Sequence, residues 1–141
     1  GKPENLMPNI LNATSNNKQT LEIFGSDHET KDGTAVRDFI HVTDLIEGHI
    51  DALNFMINEP KEVFDVFNLG TGYGYSVLEL IKTFEKVNNK KVNFKFSKKR
   101  DGDLAIYYAE SKKAKKFLNW EVKLSLSDMC KSSWEFYKNY K

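Results

Sequence analysis

Cysteine is almost missing. Cys130 is the only one in 141 residues, which excludes an internal disulfide and any multi-cysteine zinc site. Histidine is sparse too: His28, His41 and His49 do not make a structural zinc centre. Arginine is rarer than its charge class suggests. Of 21 basic residues only Arg37 and Arg100 are arginines, so bidentate anion recognition has two candidates in the chain. No apolar run approaches the ~20 residues of a membrane-spanning helix. Neither sign of charge dominates. A net charge of +1 gives no global field toward nucleic acid or an anionic membrane. The start, Gly1-Lys2-Pro3-Glu4-Asn5, carries no initiator methionine and no charged-then-apolar signal pattern. The expectation is a fragment of a longer protein, from a reducing cytoplasm.

What is present suffices for a core. The hydrophobic fraction is 40%, with ten Phe, six Tyr and two Trp, enough for one ordered domain of ordinary size. Leu6–Asn17 reads as a helix with Pro8 in its first turn. Leu21–Phe24 reads as a strand, and Val36–Val42 as a second, ending at Thr43 as a helix N-cap. Leu45, Ile46, Ile50, Leu53, Met56 and Ile57 recur at helical spacing, which predicts one buried face. Val63–Leu69 reads as a compact apolar strand running into the glycine turn Gly70–Gly74. Ser76-Val77-Leu78-Glu79 is a capping box opening a helix through about Val87. Val92–Phe96 alternates as a strand, and Tyr107–Ala109 reads as another. Ser111–Leu118 and Leu126–Tyr140 close the chain as helices. The alternation assigns an α/β class.

Several residues could carry chemistry. The Gly70-x-Gly72-x-Gly74 turn between strand and helix could cradle a phosphate. Its spacing is not G-x-G-x-x-G, and no acidic residue stands about twenty positions on. A sharp structural turn is the simpler reading. Tyr108 and Lys112 match Y-x-x-x-K, but Ser111 caps the next helix and leaves Tyr108 outside it. Arg37 and Arg100 are either two guanidinium forks converging on a diphosphate or ordinary ion-pair and loop residues. His41 reads as a satisfied structural histidine. Lys98–Arg100 and Lys112–Lys116 are basic runs without interleaved aromatics, read as solvated faces rather than a nucleic-acid footprint. Cys130 reads as a packed thiol.

A resemblance carries the reading further. It rests on Pro3-Glu4-Asn5-Leu6-Met7-Pro8, Leu21–Gly25, the block Asp32-Gly33-Thr34-Ala35-Val36-Arg37-Asp38-Phe39-Ile40-His41-Val42-Thr43-Asp44-Leu45, Phe67–Gly74, Arg100–Asp103 and Leu118-Asn119-Trp120. In order and spacing these resemble the C-terminal half of the UDP-glucose 4-epimerases, in the extended short-chain dehydrogenase/reductase superfamily. The fold implied is the C-terminal substrate-binding portion of such an enzyme, a single domain over residues 1–141. The N-terminal Rossmann domain, with its glycine loop and Tyr/Lys pair, is absent. The activity implied for the intact protein is isomerisation at C4 of UDP-glucose and UDP-galactose: oxidation by a tightly held NAD, rotation of the 4-keto sugar, and re-reduction on its other face. A homodimer is implied for the intact enzyme.

The resemblance also implies roles in gripping the UDP-sugar. Asn5 and Leu6 match residues near the diphosphate. Glu22 and Phe24 match residues offering backbone groups to uracil. Arg37 and Arg100 match the two diphosphate arginines, Asp103 a ribose-hydroxyl acceptor, and Tyr107 an aromatic residue closing over the sugar. No catalytic, cofactor-binding or metal-binding residue is expected in this chain, and the fragment alone is expected to turn over no sugar. Two departures stand out: Lys99 where the family usually has arginine, and Phe39 where it often has tyrosine. The readings left open are another NAD-dependent sugar-nucleotide enzyme, a decarboxylase or dehydratase, and a non-catalytic nucleotide-sugar binding module.

Overall fold

Three capping sequences set the helical framework. Ser76 accepts a hydrogen bond from Glu79 N, and the Glu79 carboxylate accepts one from Ser76 N. This reciprocal pair starts α3 (Val77–Asn88), and Asn89 ends it in the left-handed conformation at φ 48°. Ser125 and Asp128 repeat the arrangement at the head of α5 (Leu126–Asn139). The third cap differs from expectation. His41, not Thr43, caps α2 (Val42–Asn58), with its Nδ1 accepting from Thr43 N at 3.0 Å. That contact fixes the tautomer: Nε2 carries the proton and donates to Ser132 Oγ at 2.8 Å. The computed structural model describes residues 5–15, 19–62 and 64–140.

The element order is α1 (Leu6–Ser15), β1 (Leu21–Phe24), β2 (Val36–Arg37), α2, β3 (Tyr75–Ser76), α3, β4 (Phe94–Ser97), β5 (Ile106–Tyr107), α4 (Lys112–Leu118) and α5. The predicted α/β class holds. Asn17, at the end of the expected first helix, lies outside the described residues. β1 pairs in parallel with β4, Leu21 opposite Phe94 and Phe24 opposite Ser97. A second sheet runs β3-β2-β5, with β2 antiparallel to β3 and parallel to β5.

Burial follows the amphipathic spacing. Ile10 and Ala13 of α1, Leu21 and Ile23 of β1, Leu80, Ile81 and Phe84 of α3, and Leu126 and Cys130 of α5 form the main core. Phe84 meets Trp134 edge to face at 6.0 Å between ring centroids. Burial pushes the Cys130 thiol up to about 12, so it is a packing group. A smaller cluster of Ala114, Leu118 and Trp120 takes Ala52 and Phe55 from α2, with Phe67 and Leu69 packed beside them. Trp120 Nε1 donates to Asp44 O at 2.9 Å, and the buried Asp44 carboxylate accepts from Leu124 N at 3.0 Å.

Three expectations are corrected. The strand expected over 36–42 is paired only at Val36–Arg37, because neither neighbouring strand extends further. The strand expected over 63–69 is not formed among the described residues 64–69; Val63 itself lies outside them. Phe64 and Val66 face solvent while Phe67 and Leu69 pack inward, so the alternation is real but no partner strand reads it. The predicted buried face of α2 is bare instead. Of that predicted set Ile46, Ile50, Leu53, Met56 and Ile57 are each more than half exposed and Leu45 is half-buried, while α2 buries its opposite side through Asp44 and Gly48. Gly48 fits closely there: a Cβ would come within 2.6 Å of the Leu69 side chain and 3.0 Å of the Trp120 indole nitrogen. No helix among the described residues is long and apolar enough to cross a membrane.

Candidate functional site

Among the described residues β1 pairs with β4 alone, and all four of its residues line a cleft of about 870 Å³. One wall is α1, contributing Leu6, Asn9 and Asn12. The floor is β1 itself, from Leu21 to Phe24. The opposite wall comes from β2 and the loop before β5, through Arg37, Arg100 and Asp103. A separate depression of about 270 Å³ lies between the end of α2 and α4, and neither arginine reaches it.

Both arginines of the chain therefore line one cleft, though they are far apart in sequence. Arg37 is held by two partners: its guanidinium donates to Val36 O at 2.7 Å and forms an ion pair with Asp103. Asp103, expected as a hydroxyl acceptor, also orients Arg37. That partner is distant from Arg37 in sequence. Arg100 lies over the Phe24 ring, 3.9 Å from its centroid, and no carboxylate among the described residues forms an ion pair with it. Glu22 pairs with Lys95 across the β1–β4 ladder at 2.8 Å. Two of the cleft's carboxylates are thus neutralised within the chain, which leaves the Arg100 charge available to an anion.

Six of the eight expected site residues, Leu6, Glu22, Phe24, Arg37, Arg100 and Asp103, line this cleft. Two do not. Asn5 is exposed just before α1, its carbonyl accepting from Asn9 Nδ2 at 2.8 Å. Tyr107 stands opposite Arg37 in the β2–β5 register and is 66% exposed. The cleft adds Asn9, Asn12 and Gln19, which the sequence reading missed. A signal existed: Asn9 and Asn12 sit three apart on a short helix, so they share one of its sides.

In the glycine turn, Thr71 N and Thr71 Oγ1 both donate to the Asp38 carboxylate, at 3.0 and 2.7 Å. A carboxylate therefore already occupies the Thr71 donors, which supports the structural reading of the turn. Tyr108 lies between β5 and α4, outside any helix, so the Tyr108/Lys112 match has no shared helical face. Among the described residues no group of three or more His, Cys, Asp or Glu side chains could hold a metal ion.

The family profile described as GDP-mannose 4,6 dehydratase matches residues 2–133. A UDP-glucose 4-epimerase of Bacillus subtilis (strain 168) is 48% identical over 136 residues, covering 96% of this chain and 40% of that protein. One from Drosophila melanogaster is 44% identical over 136 residues and 39% covered. Among solved structures, the Stenotrophomonas maltophila UDP-glucose 4-epimerase with bound NAD and formylated UDP-arabinopyranose superposes with a TM-score of 0.92 at 40% identity. It spans 99% of this chain, which covers 41% of it. The Bifidobacterium longum enzyme in complex with NAD+ and UDP gives 0.91 at 39%, with coverages of 99% and 41%. The chain spans about 40% of the length of the relatives it matches, a share that fits the C-terminal portion its motifs resemble. It belongs to the family described as GDP-mannose 4,6 dehydratase, and the relatives it matches there include UDP-glucose 4-epimerases.

Proposed function

We propose that this chain is the UDP-sugar-binding part of an NAD-dependent UDP-hexose 4-epimerase. The observation that carries the reading is the meeting of Arg37 and Arg100 in one cleft beside the open side of β1. A diphosphate carries two negative charges on oxygens that planar guanidinium forks match. Arg100 supplies the free fork, and Arg37, braced by Asp103, supplies the oriented one. Phe24 offers an aromatic face, and the unpaired side of β1 at Glu22 and Phe24 offers backbone donors and acceptors to a base. Solved relatives bound to UDP and to a UDP-sugar support the same ligand class.

The chemistry at the hexose lies outside this chain. The glycine turn at Gly70–Gly74 is not read as a cofactor loop, because Thr71 N already donates to the Asp38 carboxylate. What the cleft residues do is hold and orient the nucleotide. The rest of the relatives' length is the expected source of the cofactor site and the base, so the chain alone should bind UDP without turning over UDP-galactose.

Titration calorimetry of the chain with UDP, UDP-glucose and GDP tests this. UDP and UDP-glucose should bind and GDP should bind more weakly. Arg100→Ala should weaken UDP roughly tenfold or more, the worth of a lost charge-assisted hydrogen bond. Absence of UDP binding, or equal binding of GDP, overturns the reading.

A further inference from the structure

We infer that Asp38 is a positioning residue for the cleft: its carboxylate fastens the segment that carries Arg100, Asp103 and Tyr107. The structural part stands on hydrogen bonds alone, and the effect on ligand rests on the UDP-binding reading above. Residues 98–110 are lightly attached. β5 contributes two residues to the ladder with β2, reinforced by Val36 N donating to Ala105 O at 2.8 Å. Toward the cleft the loop is held by the Arg37–Asp103 ion pair and by Arg100 on Phe24, contacts an incoming diphosphate would compete for. Beyond β5 the attachment is Ala109 N donating to Asp38 Oδ2 at 3.2 Å.

The same carboxylate accepts from Thr71 N and Thr71 Oγ1. One side chain therefore joins three segments: the end of β2, the turn at Gly70–Thr71, and the strand-to-helix connection at Ala109. Its partners are neutral donors, and no Lys or Arg among the described residues forms an ion pair with it. Two of those donors are backbone N–H groups that need an acceptor. Gly70 lets the turn close on the carboxylate, because a Cβ there would collide with Asp38 Oδ2 and with Ala109 Cβ. Asp38 does not line the cleft, so it acts only through neighbours. Arg37 is the preceding residue, and Tyr107 and Asp103 lie just upstream of Ala109.

Asp38→Asn keeps the size of the side chain and sets an amide against one of its N–H donors. Its test on the 141-residue chain has three readouts: UDP affinity by calorimetry, amide hydrogen exchange, and melting temperature. The expected result is UDP affinity down roughly tenfold, the scale of one lost hydrogen bond to a charged group. Faster exchange should appear at Val36 and Ala109, with protection in α3 and α5 unchanged. Gly70→Ala, which pushes the turn off the carboxylate, should reproduce the pattern, and it keeps the test decisive if Asp38→Asn does not fold. Unchanged UDP affinity overturns the proposal. So does a loss of protection that spreads equally through α3 and α5, the mark of a merely structural role. If the unmodified chain binds no UDP, the functional reading has failed instead. Asp38 is then judged on whether exchange quickens at Val36 and Ala109 alone.

Discussion

Asp32 packs into the turn before β2 with three donors around it: Thr34 N at 3.0 Å, Thr34 Oγ1 at 2.7 Å and Ser76 Oγ. Burial pushes its carboxyl up, but the hydrogen bonds from Ser76 and Thr34 outweigh burial and hold it below the usual carboxylate range. A depressed folded value means stability present above the unfolded pKa, about 3.9, and lost as pH falls through the folded value. Asp32→Asn should therefore melt lower than the parent at pH 7, by about the worth of one hydrogen bond, ~1 kcal/mol. The gap should close as pH drops below ~4. Melting curves of both proteins between pH 7 and pH 3 check it; a gap independent of pH sinks it. At this scale the sequence was readable in type more than in partner. Arg37 stood out because arginine is scarce, yet its partner Asp103 is distant in sequence and no local pattern names it. His41 was legible as structural; its role as a helix cap needed the geometry at Thr43.

Elements were legible where their determinants are local. The Ser76/Glu79 box and the Asn89 stop lie within or beside the helix they bound, so spacing alone finds them. The same logic misses strands, whose existence depends on a partner elsewhere. Val36–Val42 has strand composition but is paired for two residues, and 64–69 has strand alternation with no pairing at all. α2 makes the point energetically through Gly48. Alanine is ordinarily the better helix former by about 1 kcal/mol. Here its Cβ would crowd Leu69 and the Trp120 indole that donates to Asp44 O. Gly48→Ala should destabilise the chain by ~1–3 kcal/mol, the range for overpacking a filled contact. Urea denaturation decides it; a gain in stability would show that the α2–Trp120 contact has room to spare.

For the whole molecule, the informative feature is an apolar surface without a cover. Val42, Ile46, Ile50, Leu53 and Ile57 form one stripe along α2, and nearby in sequence Phe64 and Val66 lie open on an extended, unpaired segment. The sequence predicted a buried face for this helix; the apolar spacing does fall on one side of α2, but within this chain that side is exposed. The relatives are about two and a half times as long as the matched segment, and a bare apolar helix stripe is what an adjoining α/β unit would bury. Charged residues on the stripe should therefore act oppositely in two settings. In the 141-residue chain, Ile46→Lys, Ile50→Glu and Leu53→Lys together should raise solubility and reduce binding of a hydrophobic dye. Its melting temperature should stay close to the parent's, because isolated surface substitutions cost within about 0.5 kcal/mol each. In a polypeptide that includes the remaining length of the relatives, the same three changes would place charges in a buried contact and should abolish folded yield or activity. A large fall in melting temperature of the short chain would mean that the stripe is already covered within it. Full tolerance in the long form would mean that the rest of the protein packs elsewhere.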